Sequence, residues 1–176
     1  RGFTRMSEEL PRDQVIGVLN DWFACMAAPV HARGGEVLKF IGDAMLAIFP
    51  IADDLDRDRA CLAALDAAEA ALADLDQLNE GRAAAGKPAI DMGLALHTGA
   101  VMYGNIGAPS RLDFTVIGPA VNLVTRIEGL CAPLGRRLLA SARFATPCGS
   151  RLRSIGRHEL RGFSAPQEIF TIPELA

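Results

Sequence analysis

Gly34-Gly35-Glu36-Val37-Leu38-Lys39-Phe40-Ile41-Gly42-Asp43-Ala44-Met45-Leu46-Ala47-Ile48-Phe49-Pro50 is the stretch that decides the fold. Gly34-Gly35 breaks the preceding segment. Glu36 to Phe40 and Ala44 to Phe49 read as two strands joined at Ile41-Gly42-Asp43, a tight hairpin that Pro50 ends. Upstream, Val15, Leu19, Trp22, Phe23, Met26 and Val30 recur at helical spacing, which predicts a helix from Pro11 to Ala32. Pro11 suits a first turn, where a missing N–H is harmless. Arg1 to Thr4 is a short lead-in containing glycine.

Downstream, Asp53 to Gly81 keeps a leucine face through Leu55, Leu62, Leu65, Leu72 and Leu75, so it reads as a long amphipathic helix. Ile90, Met92, Leu94 and Leu96 alternate with less apolar residues up to His97, the pattern of a strand with one buried face. Strands follow at Val101–Ile106 and Leu112–Ile117, with Gly107–Arg111 as their loop. Gly118-Pro119 opens a helix to about Leu130. Short strands are expected at Arg137–Ala140, Arg151–Leu160 and Glu168–Ile172, with a short helix from Ser141. Helices and hairpins together predict an α/β (α+β) fold, a mixed sheet with helices packed against it.

The chain has 176 residues, the size of one domain at about 100–200 residues each. Half of it is hydrophobic, which supplies a core and excludes disorder. A net charge of −3 lacks the basic excess of a nucleic-acid domain. Asp, Glu or Arg interrupts every apolar run before the roughly 18 residues a membrane span needs. Cys25, Cys61, Cys131 and Cys148 are far apart and form no CxxC pair. Reduced thiols in a cytoplasmic domain are therefore expected.

Three stretches could carry chemistry. Asp43 sits at the hairpin turn beside Gly42, where a carboxylate can meet Mg²⁺ and phosphate oxygens; it can equally be a plain turn former. Lys39 lies four residues earlier and can equally be a solvated strand residue. Asn122 and Arg126 stand at i and i+4, on one helix face. An amide and a permanent, forked cation together make a phosphate-directed surface; the plainer alternative is a solvated face with Arg126 paired to an acid such as Glu128. Gly2-Phe3-Thr4 precedes a helical segment whose free amides can bind phosphate or be an ordinary cap.

Taken in order, Arg1-Gly2-Phe3-Thr4, Gly34-Gly35 through Lys39-Phe40-Ile41-Gly42-Asp43-Ala44, His97-Thr98-Gly99, and Thr115 through Asn122 into Arg126-Ile127-Glu128 resemble the catalytic domain of the class III adenylyl/guanylyl cyclases. The resemblance covers almost the whole chain. It implies a ferredoxin-like mixed sheet flanked by helices, and a homodimer with active sites at its interface. It implies conversion of ATP to cyclic AMP and pyrophosphate, assisted by two Mg²⁺ or Mn²⁺ ions. Asp43 matches a metal ligand. Phe3, Thr4 and Gly42 match substrate-binding positions around it. Lys39 and Thr115 match the pair that reads the purine, and as Lys and Thr they favour ATP, as in a bacterial subgroup. Asn122 matches the residue that orients the ribose, and Arg126 the one that stabilises the transition state. His31, His97 and His158 receive no catalytic role.

The resemblance also marks departures. It places the first metal carboxylate two residues ahead of Arg1 and the first strand ahead of that. The chain is therefore read as an N-terminally truncated domain spanning residues 1–176, with little activity in this form. Ala100 and Phe163 stand where some relatives carry basic residues for the triphosphate, with Arg161 close by. A cytoplasmic domain without membrane or nucleic-acid contact is implied, in a parent that can still be membrane-anchored. The alternative is a non-catalytic, dimerising or nucleotide-sensing module. A diguanylate cyclase, suggested by Gly34-Gly35-Glu36, is disfavoured by the Asn122/Arg126 helix.

Overall fold

Apolar residues at helical spacing after Pro11 form a helix, and Pro11 itself is the residue before its first turn. The computed structural model describes residues 3–108 and 111–173. In chain order, the elements begin with α1 (Phe3–Glu9), α2 (Arg12–Ala32), β1 (Glu36–Ile41), β2 (Ala44–Ile48) and α3 (Asp54–Ala84). Then come β3 (Leu94–Leu96), β4 (Met102–Ala108), β5 (Arg111–Ile117), α4 (Pro119–Glu128) and β6 (Leu138–Ser141). The chain closes with α5 (Ala142–Ala145), a 3₁₀ turn (Thr146–Arg151), β7 (Arg153–His158) and β8 (Gln167–Thr171).

The residues group into two compact units, Arg1–Ile51 with Ala63–Met92, and Ala52–Leu62 with Gly93–Ala176. In the first unit, α2 packs on β1. It buries Val15, Val18, Met26, Pro29 and Val30. By length and a mean hydropathy of 1.2, α2 is apolar enough to cross a membrane. A core helix meets the same criterion, and Asp21 lies in its middle. The α2–β1 turn is tight: a Cβ on Gly35 would lie 2.7 Å from Phe49 Cζ and 2.8 Å from Val30 Cγ1. Buried Ala64, Leu65, Ala68, Ala71, Leu72 and Leu75 repeat every three or four residues along α3. Asp53 caps that helix, its Oδ1 accepting the Asp56 amide at 3.0 Å.

The second unit holds a four-stranded sheet in the order β3-β6-β8-β7. β3 runs parallel to β6, and the other pairs are antiparallel, so the sheet is mixed as expected. Its core joins Ile127, Cys131, Leu139, Leu160 and Ile169, with Leu123, Leu130 and Leu134 packed against them. β1–β2 and β4–β5 each form a two-stranded hairpin. The four cysteines are free thiols, three of them buried.

Four expectations differ from the structure. Phe3 and Thr4 are the first residues of α1, not a lead-in; Arg1 and Gly2 lie outside the described residues. The strand expected from Ile90 starts only at Leu94. Asn79 takes the place of a strand partner there, its Oδ1 accepting the Ile90 amide at 2.8 Å and its Nδ2 donating to the Ile90 carbonyl at 2.9 Å. The strands β4 and β5 extend into the segment read as the Gly107–Arg111 loop, through Gly107↔Leu112 and Ala108↔Arg111 pairs. The long helix runs on past Gly81 to Ala84.

Candidate active site

A two-residue turn presents the first group of side chains. Gly42 and Asp43 connect the Ile41↔Ala44 pair. Gly42 has φ +62°, and among the described residues only glycines have positive φ. That sign pattern is of a type II′ turn, whose twist suits a hairpin and whose first central position wants glycine. A Cβ on Gly42 would meet nothing within 4 Å, so space around the turn is open. Asp43 is exposed and Lys39, on β1, is half-buried. Among the described residues Lys39 forms no ion pair.

The helix α4 presents the second group. Leu123 and Ile127 point into the core of the second unit. Asn122 and Arg126, each one residue earlier, are both exposed on a shared face. Arg126 pairs with neither Glu128 nor any other acid among the described residues. The phosphate-directed reading of this face thus keeps its cation available. Thr115 lies in β5 opposite Gly104 of β4; its side chain is outside what the structure describes. Phe3 is half-buried at the start of α1, where Thr4 follows.

Two glycines, Gly99 and Gly118, seat α4. A Cβ on Gly99 would come 2.9 Å from Ala120 Cβ and 3.0 Å from His97 Nε2. Gly118, before the first turn, has φ +146° and ψ 173°, a conformation essentially restricted to glycine. The signal was present in His97-Thr98-Gly99 and Ile117-Gly118-Pro119, but only as turns. His97 itself shares a 2.7 Å hydrogen bond between Nδ1 and Ser141 Oγ. Ser141 Oγ also accepts the Phe144 amide and so caps α5. Burial, with a smaller contribution from Arg143, holds the His97 imidazole below its ordinary value of 6.5. Burial and the hydrogen bond to Ser141 thus favour the neutral imidazole.

Asp43 supplies one exposed carboxylate, and among the described residues no three His, Cys, Asp or Glu side chains gather into an ion site. These residues alone do not complete a two-ion centre. Phe163 packs against the core of the second unit. Exposed Arg161 instead lines a pocket of about 280 Å³ with Glu159, Ser164 and Pro166.

In the second unit α4 presents a guanidinium and an amide on one exposed face, and in the first unit the β1–β2 hairpin presents a lysine and a carboxylate. Comparison with known proteins makes the class specific: the chain belongs to the family of adenylate and guanylate cyclase catalytic domains, whose model matches residues 1–172. The adenylate cyclase of Anabaena cylindrica is 41% identical over 143 residues, 79% of this chain and 27% of that protein. The chain thus spans about a quarter of the length of such curated relatives. Among solved structures, the adenylyl cyclase CyaB from P. aeruginosa superposes with a TM-score of 0.85 at 28% identity, covering 100% of this chain and 90% of that one. The guanylyl cyclase Cya2 gives a TM-score of 0.76 at 29% identity, covering 99% and 89%.

Proposed function

We propose that the chain is an adenylyl cyclase catalytic domain that converts ATP to cyclic AMP and pyrophosphate at a site shared between two copies. The observation that carries this reading is the exposed Asn122–Arg126 face of α4, held by a buried Ile127 and free of any described acid. The 3′-oxygen of the ribose attacks the α-phosphorus, the bond to the β-phosphate bridging oxygen breaks, and pyrophosphate leaves. The hydroxyl proton passes to solvent. Asn122 orients the ribose. Arg126 meets charge that builds on the phosphoryl oxygens, with bidentate geometry available to its guanidinium. Phe3 and Thr4 stand on the phosphate side, with Gly42 leaving room at the hairpin turn.

ATP is preferred to GTP through Lys39 and Thr115. Relatives of both specificities are similar to this chain, so the purine choice rests on those two residues rather than on overall likeness. Asp43 is assigned as a carboxylate that would hold a divalent ion, Mg²⁺ or Mn²⁺, which would supply charge neutralisation at the phosphates when bound. The domain acts in the cytoplasm, where ATP is available.

The test is product analysis. The intact protein is incubated with ATP or GTP and Mn²⁺, and products are separated by chromatography. Cyclic AMP from ATP, abolished by Arg126→Ala, is the expected result. Nucleotide binding and dimerisation with no cyclic product would overturn it in favour of a nucleotide-sensing module.

A further inference from the structure

The pairing of β1 with β2 is not regular. Val37 stands opposite Ala47 and Lys39 opposite Leu46, so Leu38 is an extra residue, a β-bulge. Opposed residues share a face of a hairpin, and successive residues alternate. Past the bulge, Phe40 and Met45 therefore share the face of Val37 and Ala47, while Lys39, Leu46, Ile41 and Ala44 share the other. Without the bulge, Lys39 would lie on the face of Val37, because a one-residue slip exchanges every side chain.

The face carrying Phe40 is locked to α2. The Phe40 ring lies 4.1 Å, centroid to centroid, from the Phe23 ring, at 48°. Phe23 is braced in turn by Trp22 at 4.9 Å. β1 and β2 pair only with each other among the described residues. A lone two-stranded hairpin is marginal and its register is open to slippage, so it needs such an anchor.

We propose that Phe23 is a positioning residue for purine selectivity: through Phe40 and the Leu38 bulge it holds Lys39 on the hairpin face turned away from α2. This rests on the reading of Lys39 as the purine contact. Phe23 touches no nucleotide and acts only through the hairpin.

The experiment measures kcat/KM for ATP and for GTP in the intact protein. Phe23→Leu keeps an apolar side chain but loses the ring contact. It lowers the ATP-to-GTP ratio by about tenfold, the scale of discrimination carried by one well-placed contact. Phe23→Tyr keeps the ring and restores the ratio. A second variant inserts one alanine between Leu46 and Ala47, opposite Leu38. It completes the ladder, so that Lys39 and Phe40 exchange faces relative to Val37 and Ala47, the Phe40–Phe23 contact is lost, and the ratio falls. Circular dichroism and thermal melting identify any variant that has not folded. If Lys39→Ala lowers the ratio but Phe23→Leu and the insertion, both folded, keep it, the positioning role is overturned and the Lys39 reading stands. If Lys39→Ala keeps the ratio, both fall.

Discussion

Arg126 is the residue on which the account depends most. It stands exposed on α4 without an acidic partner among the described residues, so no ion pair there neutralises its charge. Removing a group that meets charge only in the transition state lowers kcat by about 10²–10³-fold with little change in KM. Arg126→Ala is expected to do so in a cyclic AMP assay. Arg126→Lys recovers only part, because a point charge cannot reproduce the guanidinium fork. His97 gives a second residue-scale prediction. Its folded pKa lies below the ordinary 6.5, chiefly through burial. Above that pH both folded and unfolded states hold it neutral. As pH falls through 6.5, the unfolded chain takes up the proton first, so stability declines toward acid. Denaturant unfolding between pH 7.5 and 5 would show this slope, and His97→Gln would flatten it. The Asn122–Arg126 face was legible in the sequence, because i, i+4 spacing fixes it. The His97–Ser141 hydrogen bond was not, since 44 residues separate the partners.

Elements place these residues, and glycines decide where the elements sit. A methyl group on Gly99 meets Ala120 Cβ at 2.9 Å, inside any real contact. Gly99→Ala must push α4 outward, destabilising the fold by about 1–3 kcal/mol as overpacking does. Chemical denaturation measures this, and kcat falls further than stability alone predicts because Asn122 and Arg126 move with the helix. At this scale the sequence was informative where a local rule decides. Gly42-Asp43 specifies the hairpin turn, and Pro119 with Gly118 specifies the start of α4. It was misleading where a distant side chain competes. Ile90 and Met92 alternate like a strand, yet Asn79 claims both hydrogen-bonding groups of Ile90. The bulge at Leu38 was also hidden, because strand register is a property of the pair. Helix α1 was missed because its seven residues are too few to show a period.

The whole molecule leaves apolar side chains in water. Met102 is 65% exposed and Ile117 42%, and the two stand opposite each other across β4 and β5. Val101 beside them is exposed too, as are Phe40 and Ile41 on the first hairpin. Clustered exposed apolar residues mark surfaces for association. A symmetric pair of chains would cover each patch twice. Met102→Glu is therefore expected to convert a dimer to monomer in sedimentation, with loss of cyclase activity. In the sequence a dimer is implied only by the family resemblance, since exposure cannot be read from the residues alone.

The proposed site is shared between two copies, and family resemblance implies that Asp43 comes from one and Arg126 from the other. Mixing two inactive variants, Asp43→Asn and Arg126→Ala, tests it most directly. In an equal mixture with free exchange, half the dimers are mixed, and each mixed dimer has one intact site of two. Cyclic AMP formation should then return to about a quarter of the parent rate. A mixture that exchanges subunits yet stays as inactive as its components would contradict the account.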